Sequence, residues 1–284
     1  MSRPPLVSIC IPAYKAARFL PETLASVRAQ TFQDWELIIT EDGSRDETES
    51  LVAAFAREGP QPVRYLRHDK NRGLPATRNT GFAAASGSVI AILDADDLWA
   101  PDHLASGLAA LGDPSSASAS FAPCEIFDSN TGARLGERVV PVSDPARIPD
   151  CIHSGWLIVQ PSGALFTRAA FERTGLFDEA LPCCNDLDYW IRLCRAGVAL
   201  HFTGRETLRY RKHPDAMSSK SADLFADRTR VQIKHRDWSA IPVAVRRRRL
   251  RAGLFNAARM DARQRPARAL KHLAECLIIP LITF

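Results

Sequence analysis

Four short strand-patterned runs, alternating with helix-patterned stretches, organise the first hundred residues. They are LVSICI (Leu6–Ile11), WELIIT (Trp35–Thr40), VRYLRH (63–68) and VIAIL (Val89–Leu93). Between them, FLPETLASVRAQ (Phe19–Gln30) carries helical spacing at Phe19, Leu20, Leu24 and Val27. SRDETESLVAAFAR (Ser44–Arg57) opens with Ser44 as an N-cap and an acidic first turn, both helix-start signals. GLPATRNTGFAAAS reads as a third helix, stopped at Gly87. Strands that alternate with helices need crossover connections, and these are right-handed. The pattern therefore predicts an α/β fold: a mainly parallel, twisted sheet with helices on both faces.

Ligands bind such sheets beyond the carboxyl ends of the strands. Here those ends read PAY (12–14), TEDGS (40–44) and DADD (94–97), and all three are predicted to converge on one edge. The last is the most informative. VIAIL is apolar and reads as a buried central strand, yet it runs directly into Asp94, Asp96 and Asp97. Desolvated carboxylates are costly without compensation. Residues two apart in an extended segment share a side, so Asp94 and Asp96 form one oxygen-rich face suited to Mg²⁺ or Mn²⁺ and a diphosphate. Asp97, on the alternate side, is expected to support the turn into LWAPDHL. Glu41 and Asp42 repeat the acidic strand end one βα unit earlier. Tyr14, just past Pro12, is placed to stack on a base or to pack. Arg78 is placed to neutralise a diphosphate or to lie on a helix surface.

From Val7 to Leu104 the order and spacing of VSICIPAYKAARFLPETLASVRAQTFQDWELIITEDGSRDET and NRGLPATRNTGFAAASGSVIAILDADD resemble the inverting family-2 glycosyltransferases of the GT-A fold. A weaker likeness continues to Ser219 through GLFDE, NDLDYWIRL and YRKHPDAMSS. The resemblance implies that Pro12, Tyr14 and Asp42 hold the nucleotide base, that Asp94 lies by the ribose and metal, and that Asp96 is the metal ligand. It implies that Arg78 sits near the donor, that Asp186 is the catalytic base with Asp188 as fallback, and that His213 approaches the metal or diphosphate. Asn185 stands where the family usually has Glu. The implied reaction is transfer of a sugar from a nucleoside-diphosphate (UDP) sugar to a saccharide or lipid-linked saccharide, with Mn²⁺ or Mg²⁺. A catalytically silent nucleotide-sugar-binding or scaffold protein is the alternative. A Q-x-x-R-W motif is absent, so transfer is expected to be non-processive.

The domain reading is a GT-A domain over 1–220, with a nucleotide-sugar half (1–104) and an acceptor half (105–220), then a basic helical extension over 221–284. RLGERVVPVSDPARIPD reads as a surface excursion. The net charge of +5 is uneven: residues 246–272 hold ten Arg/Lys against Asp261 alone, a segment of +9 in an otherwise acidic chain. Arginines upstream of the apolar face of Leu270, Leu273, Ala274, Leu277 and Ile278 suit an anionic membrane surface; a helical cap or oligomer contact is the other reading. Few aromatics interleave the arginines, which disfavours nucleic acid. No apolar run approaches the ~20 residues that span a bilayer. With no signal-peptide pattern at the N-terminus and an odd set of seven cysteines, the expected location is the cytoplasm, with peripheral contact at the inner membrane face.

Overall fold

The computed structural model describes residues 5–138, 147–154, 160–217, 221–262 and 265–278. The chain divides into two compact units. The first comprises Met1–Pro141, Val159–Phe177 and Ala196–His213; the second comprises Val142–Ile158, Asp178–Arg195 and Pro214–Phe284. This division differs from the expected break at residue 220, because 178–195 groups with the C-terminal helices.

In the first unit β1 (Val7–Ala13), β2 (Trp35–Glu41), β3 (Val63–Arg67) and β4 (Val89–Ile92) pair in parallel, as the alternation of strands with helices predicts. β1, β2 and β4 are buried along their whole length, which is why they read as unbroken apolar runs rather than alternating ones. The sheet continues through β9 (Ala164–Thr167), antiparallel to both its neighbours, then β6 (Ser118–Phe121) and β10 (Ala199–Phe202), in the order β10-β6-β9-β4-β1-β2-β3. Alternate residues Val7, Ile9 and Ile11, with Leu37, Ile39, Val89 and Ala91, join one core with Leu20, Leu24 and Val27 of α1 (Leu20–Arg28), Val52 and Phe55 of α2 (Thr48–Arg57), and Leu104 of α4 (His103–Leu111). The opposite face receives α3 (Leu74–Ala84), whose Gly81 lies over Cys10 and Thr40. Phe82 of α3 meets Phe166, Phe171 and Phe177 at ring-centroid distances of 5.4, 5.8 and 5.5 Å; Phe171 belongs to α6 (Arg168–Thr174).

The expected start of α2 at Ser44 moves to Thr48. Ser44 spends its hydroxyl on Glu41 and on the amide of Lys15, while Asp46 accepts from Thr48 Oγ1 (2.7 Å) at the helix start. A second sheet, unforeseen from the sequence, has the order β5-β11-β7-β8: β5 (Leu98–Trp99), β11 (Leu208–Lys212), β7 (Cys124–Asp128) and β8 (Arg134–Arg138). Leu208 pairs with Trp99, which brings the end of β11 back to the acidic loop after β4.

The second unit is helical among the described residues: α5 (Ile148–Ser154), α7 (Asn185–Arg195), α8 (Ser221–Lys234), α9 (Val243–Asp261) and α10 (Pro266–Ile278). Much of its basic charge is paired internally. Arg249 bonds Asp150 at 2.9 Å, Arg265 and Arg268 bond Asp223 at 2.7 and 3.0 Å, and buried Arg246 donates to the Arg236 carbonyl. Phe255 (57% exposed), Leu270 (67%) and Leu273 remain on the surface. The side chains of the expected apolar residues Leu277 and Ile278, basic Arg263 and the stretch 139–146 of the expected excursion lie outside what the structure describes. No helix among the described residues is long and apolar enough to cross a membrane.

Candidate active site

Parallel pairing of β1, β2 and β4 puts their carboxyl ends, and the polar loops that follow, on one sheet edge. Pro12 is buried within β1, opposite Thr40. Tyr14 emerges 48% exposed, with Lys15 Nζ 5.4 Å from its ring centroid. The next loop folds tightly because Gly43 has φ +77° and a side chain there would meet the Lys70 backbone at 2.6 Å. Glu41 is consumed by this turn. It accepts from the amides of Gly43 and Ser44 and pairs with Arg67 at 3.5 Å. Asp42 is buried, and its carboxylate accepts from His68 Nδ1 (2.7 Å), Arg72 N (2.8 Å) and Gly73 N (2.8 Å).

The three aspartates after β4 are separated in role. Arg78, buried on α3, directs Nη2 to both oxygens of Asp94 at 2.8 and 3.1 Å, so Asp94 has its own counter-charge. Asp96 Oδ2 meets His213 Nε2 at 2.9 Å. His213 is not an exposed loop histidine: its ring is mostly buried and stands 4.8 Å from that of Phe19. Asp97 turns inward, as its alternate position predicts. It accepts from Ser162 Oγ at 2.5 Å and from Arg211 N at 2.9 Å. Burial, then the charges of Asp96 and Asp94, push its pKa above the usual carboxylate range.

Arg211 and Ser162 are parts of this arrangement that sequence reasoning missed. Ser162 lies in a single 3₁₀ turn, Pro161–Gly163, and its hydroxyl also accepts from Asp94 N at 3.0 Å. Arg211 donates to Asp96 O (2.7 Å) and Glu22 (3.0 Å), its guanidinium 4.7 and 4.8 Å from the ring centroids of Phe19 and Phe127. The available signal was position: Arg211 precedes His213 by two residues, hence shares its side of an extended segment.

Among the described residues no three His, Cys, Asp or Glu side chains gather as a self-sufficient metal cluster. The donors present nevertheless fit a hard cation that takes its remaining ligands from phosphate and water. Asp96 offers carboxylate oxygen, and His213 offers an imidazole whose Nδ1 is buried with no hydrogen-bond partner among the described residues.

In the second unit Asp186 and Asp188 share the first turn of α7 but differ in setting. Asp186 is half-buried and accepts from Leu187 N at 2.8 Å. Asp188 is fully buried and accepts from Arg192 Nε, His235 Nε2 and Lys234 Nζ, each at 2.8 Å. Burial alone would raise its pKa, but the bonds from His235, Lys234 and Arg192 outweigh it and hold the carboxyl well below the usual range. Such a carboxylate is a weak base already occupied with fastening α7, which counts against its fallback role. Asn185 is buried and donates to the Pro182 carbonyl at 3.3 Å.

A mainly parallel sheet with an acidic, arginine-backed loop after its central strand is the arrangement expected of the GT-A class. The profile of glycosyl transferase family 2 matches residues 8–175, and the chain belongs to that family. It is 36% identical over 99 residues (35% of this chain, 38% of the relative) to the Escherichia coli protein named UDP-Glc:alpha-D-GlcNAc-diphosphoundecaprenol beta-1,3-glucosyltransferase WfgD. The matched stretches span about a third of several curated relatives, at 30%, 36% and 38% of their lengths. Among solved structures, S. aureus TarS 1–349 in complex with UDP-GlcNAc superposes with a TM-score of 0.71 at 16% identity, covering 96% of this chain and 81% of that one. The mannosyltransferase PcManGT from Pyrobaculum calidifontis, in complex with GDP-Man and Mn²⁺, gives 0.67 at 20% identity, covering 98% and 81%. These likenesses establish the GT-A fold.

Proposed function

We propose that the protein is a metal-dependent, inverting, non-processive glycosyltransferase that moves a hexosyl or N-acetylhexosaminyl group from a UDP sugar to a saccharide or lipid-linked saccharide. The observation that carries this reading is the division of labour after β4, where Asp94 is matched by Arg78 while Asp96 faces His213. The UDP-GlcNAc and GDP-Man complexes of the fold neighbours and the diphosphoundecaprenol acceptor in the WfgD name support the donor and acceptor classes.

Asp96 and His213 would hold the cation, beside Asp94. When bound, Mn²⁺ or Mg²⁺ neutralises charge that develops on the leaving diphosphate. Asp42 accepts from the base, against which Tyr14 stacks and Pro12 packs. Arg78 holds Asp94 in place and adds positive charge near the donor. The acceptor hydroxyl oxygen bonds to the anomeric carbon as the bond from that carbon to the diphosphate oxygen breaks, and the diphosphate leaves with the electron pair. Asp186 takes the hydroxyl proton, because an un-ionised alcohol is a poor nucleophile. A single displacement inverts the anomeric centre. The exposed Phe255, Leu270 and Leu273, among the arginines of α9 and α10, support peripheral contact of 246–284 with the anionic inner face of the cytoplasmic membrane.

Calorimetric titration of UDP with and without Mn²⁺, together with a donor-turnover assay, tests this reading. Asp96→Ala is expected to abolish the Mn²⁺-dependent part of UDP binding. Asp186→Asn is expected to keep donor binding and lose transfer. Full turnover by Asp186→Asn with a true acceptor would show that the base lies elsewhere.

A further inference from the structure

We infer that His68 is a positioning residue for recognition of the donor's nucleobase, acting through Asp42; this rests on the proposed role of Asp42. His68 follows β3 and is buried between two partners. Its Nδ1 is 2.7 Å from Asp42 Oδ1, and its Nε2 is 2.9 Å from Thr80 Oγ1 on α3. A carboxylate can only accept, so the imidazole donates from Nδ1. With Nδ1 the donor, Nε2 accepts the single proton of the Thr80 hydroxyl, whose oxygen stands on α3 3.0 Å from the Ala76 carbonyl. The ring is therefore held at both ends.

Counting acceptor sites shows what this does for Asp42. A carboxylate has about four lone-pair sites. Among the described residues Oδ1 accepts from His68 Nδ1 and Arg72 N, and Oδ2 accepts from Gly73 N. One site is left, on Oδ2. The two backbone donors belong to the loop that enters α3, and His68 reaches α3 directly through Thr80. Fastened on two sides, Asp42 has no freedom to turn its occupied oxygen outward. The remaining lone pair is an acceptor of fixed direction. It suits the imino N–H of uracil, thymine or guanine, and not N3 of cytosine, which carries no hydrogen. α3 also carries Arg78 to Asp94, so one helix anchors both the base end and the diphosphate end of the site.

Titration of UDP and CDP in the presence of Mn²⁺ tests the inference, read as the UDP-to-CDP preference rather than as affinity alone. His68→Phe keeps the buried ring volume but removes both nitrogens, and is expected to lose about ten-fold of the preference, the scale of one buried charge-assisted bond. His68→Asn, whose amide nitrogen takes the place of Nδ1 and can still donate to Asp42, is expected to retain most of it. Thr80→Val frees the far side of the ring and is expected to lose about three-fold, on the scale of a neutral hydrogen bond. Equal loss of UDP and CDP binding in His68→Phe, or an unchanged preference, overturns the inference, and should that variant not fold, an unchanged preference in Thr80→Val does so. Asp42→Asn separates the two levels. If it keeps the preference, or if the wild type has none, the role of Asp42 itself has failed; if it loses the preference while His68→Phe keeps it, only the positioning role has failed.

Discussion

Ser162 offers the sharpest test of how the acidic loop is built. It is fully buried, and its hydroxyl makes two bonds of opposite sense: it accepts from Asp94 N at 3.0 Å and donates to Asp97 Oδ2 at 2.5 Å. Ser162→Ala removes that oxygen and little else, since the Ser162 carbonyl still receives Trp99 Nε1 at 2.6 Å. Asp97 would keep Arg211 N as its remaining donor among the described residues. Losing a bond to a buried carboxyl costs about 1.5–3 kcal/mol, and orphaning the Asp94 amide adds roughly 1 kcal/mol. The expected destabilisation is thus about 3 kcal/mol, or roughly 6–12 °C in the melting temperature of a domain of this size. Urea denaturation followed by far-UV circular dichroism measures the stability, and Mn²⁺ titration measures the consequence for Asp96, which shares the loop. A loss below about 1 kcal/mol with unchanged Mn²⁺ affinity would refute the view that Ser162 shapes the acidic loop proposed to hold the metal.

Gly43→Ala combines a left-handed backbone with a 2.6 Å approach to the Lys70 backbone, and is expected to cost about 2–4 kcal/mol in thermal melts and to weaken UDP binding through Asp42. His103 is buried against Trp99, and burial lowers its pKa from 6.5 to about 3. The unfolded chain therefore binds the extra proton, so stability contributed above pH 6.5 is lost as pH falls toward 3; over that window His103→Phe should flatten the pH dependence of urea melts by about 1.4 kcal/mol per pH unit. Removing residues 246–284 is expected to abolish flotation with anionic vesicles, and equal flotation with and without them would count against membrane contact.

The four parallel strands were legible because each announces itself locally. β1, β2 and β4, buried along their length, are apolar runs, β3 is a shorter half-buried stretch beside them, the helix neighbours have their own period, and the polar turns between them are chemically distinct. The acidic strand ends were legible for the same reason, since Asp94, Asp96 and Asp97 fall within one four-residue stretch and their alternation sorts outward from inward carboxylates. The second sheet was not legible. Its strand β5 has two residues, and β11 finds it only after the chain has crossed more than a hundred positions.

Asp186 and Asp188 show where local reading stops. Both are aspartates in one helical turn, and nothing nearby in sequence separates the proposed base, Asp186, from the buried anchor, Asp188. The difference comes from Lys234 and His235, which close on Asp188 from the end of α8 and the residue after it. Ser162 and Arg211 reach Asp97 across 65 and 114 positions, and His68 finds Asp42 from the next strand over. The sequence by itself determined the parallel strands, the sheet edge on which their polar ends gather and the carboxylates at that edge, because these follow from periodicity and strand direction. Only the tertiary structure decided which carboxylates keep a free lone pair, because that depends on which distant donors fill the others.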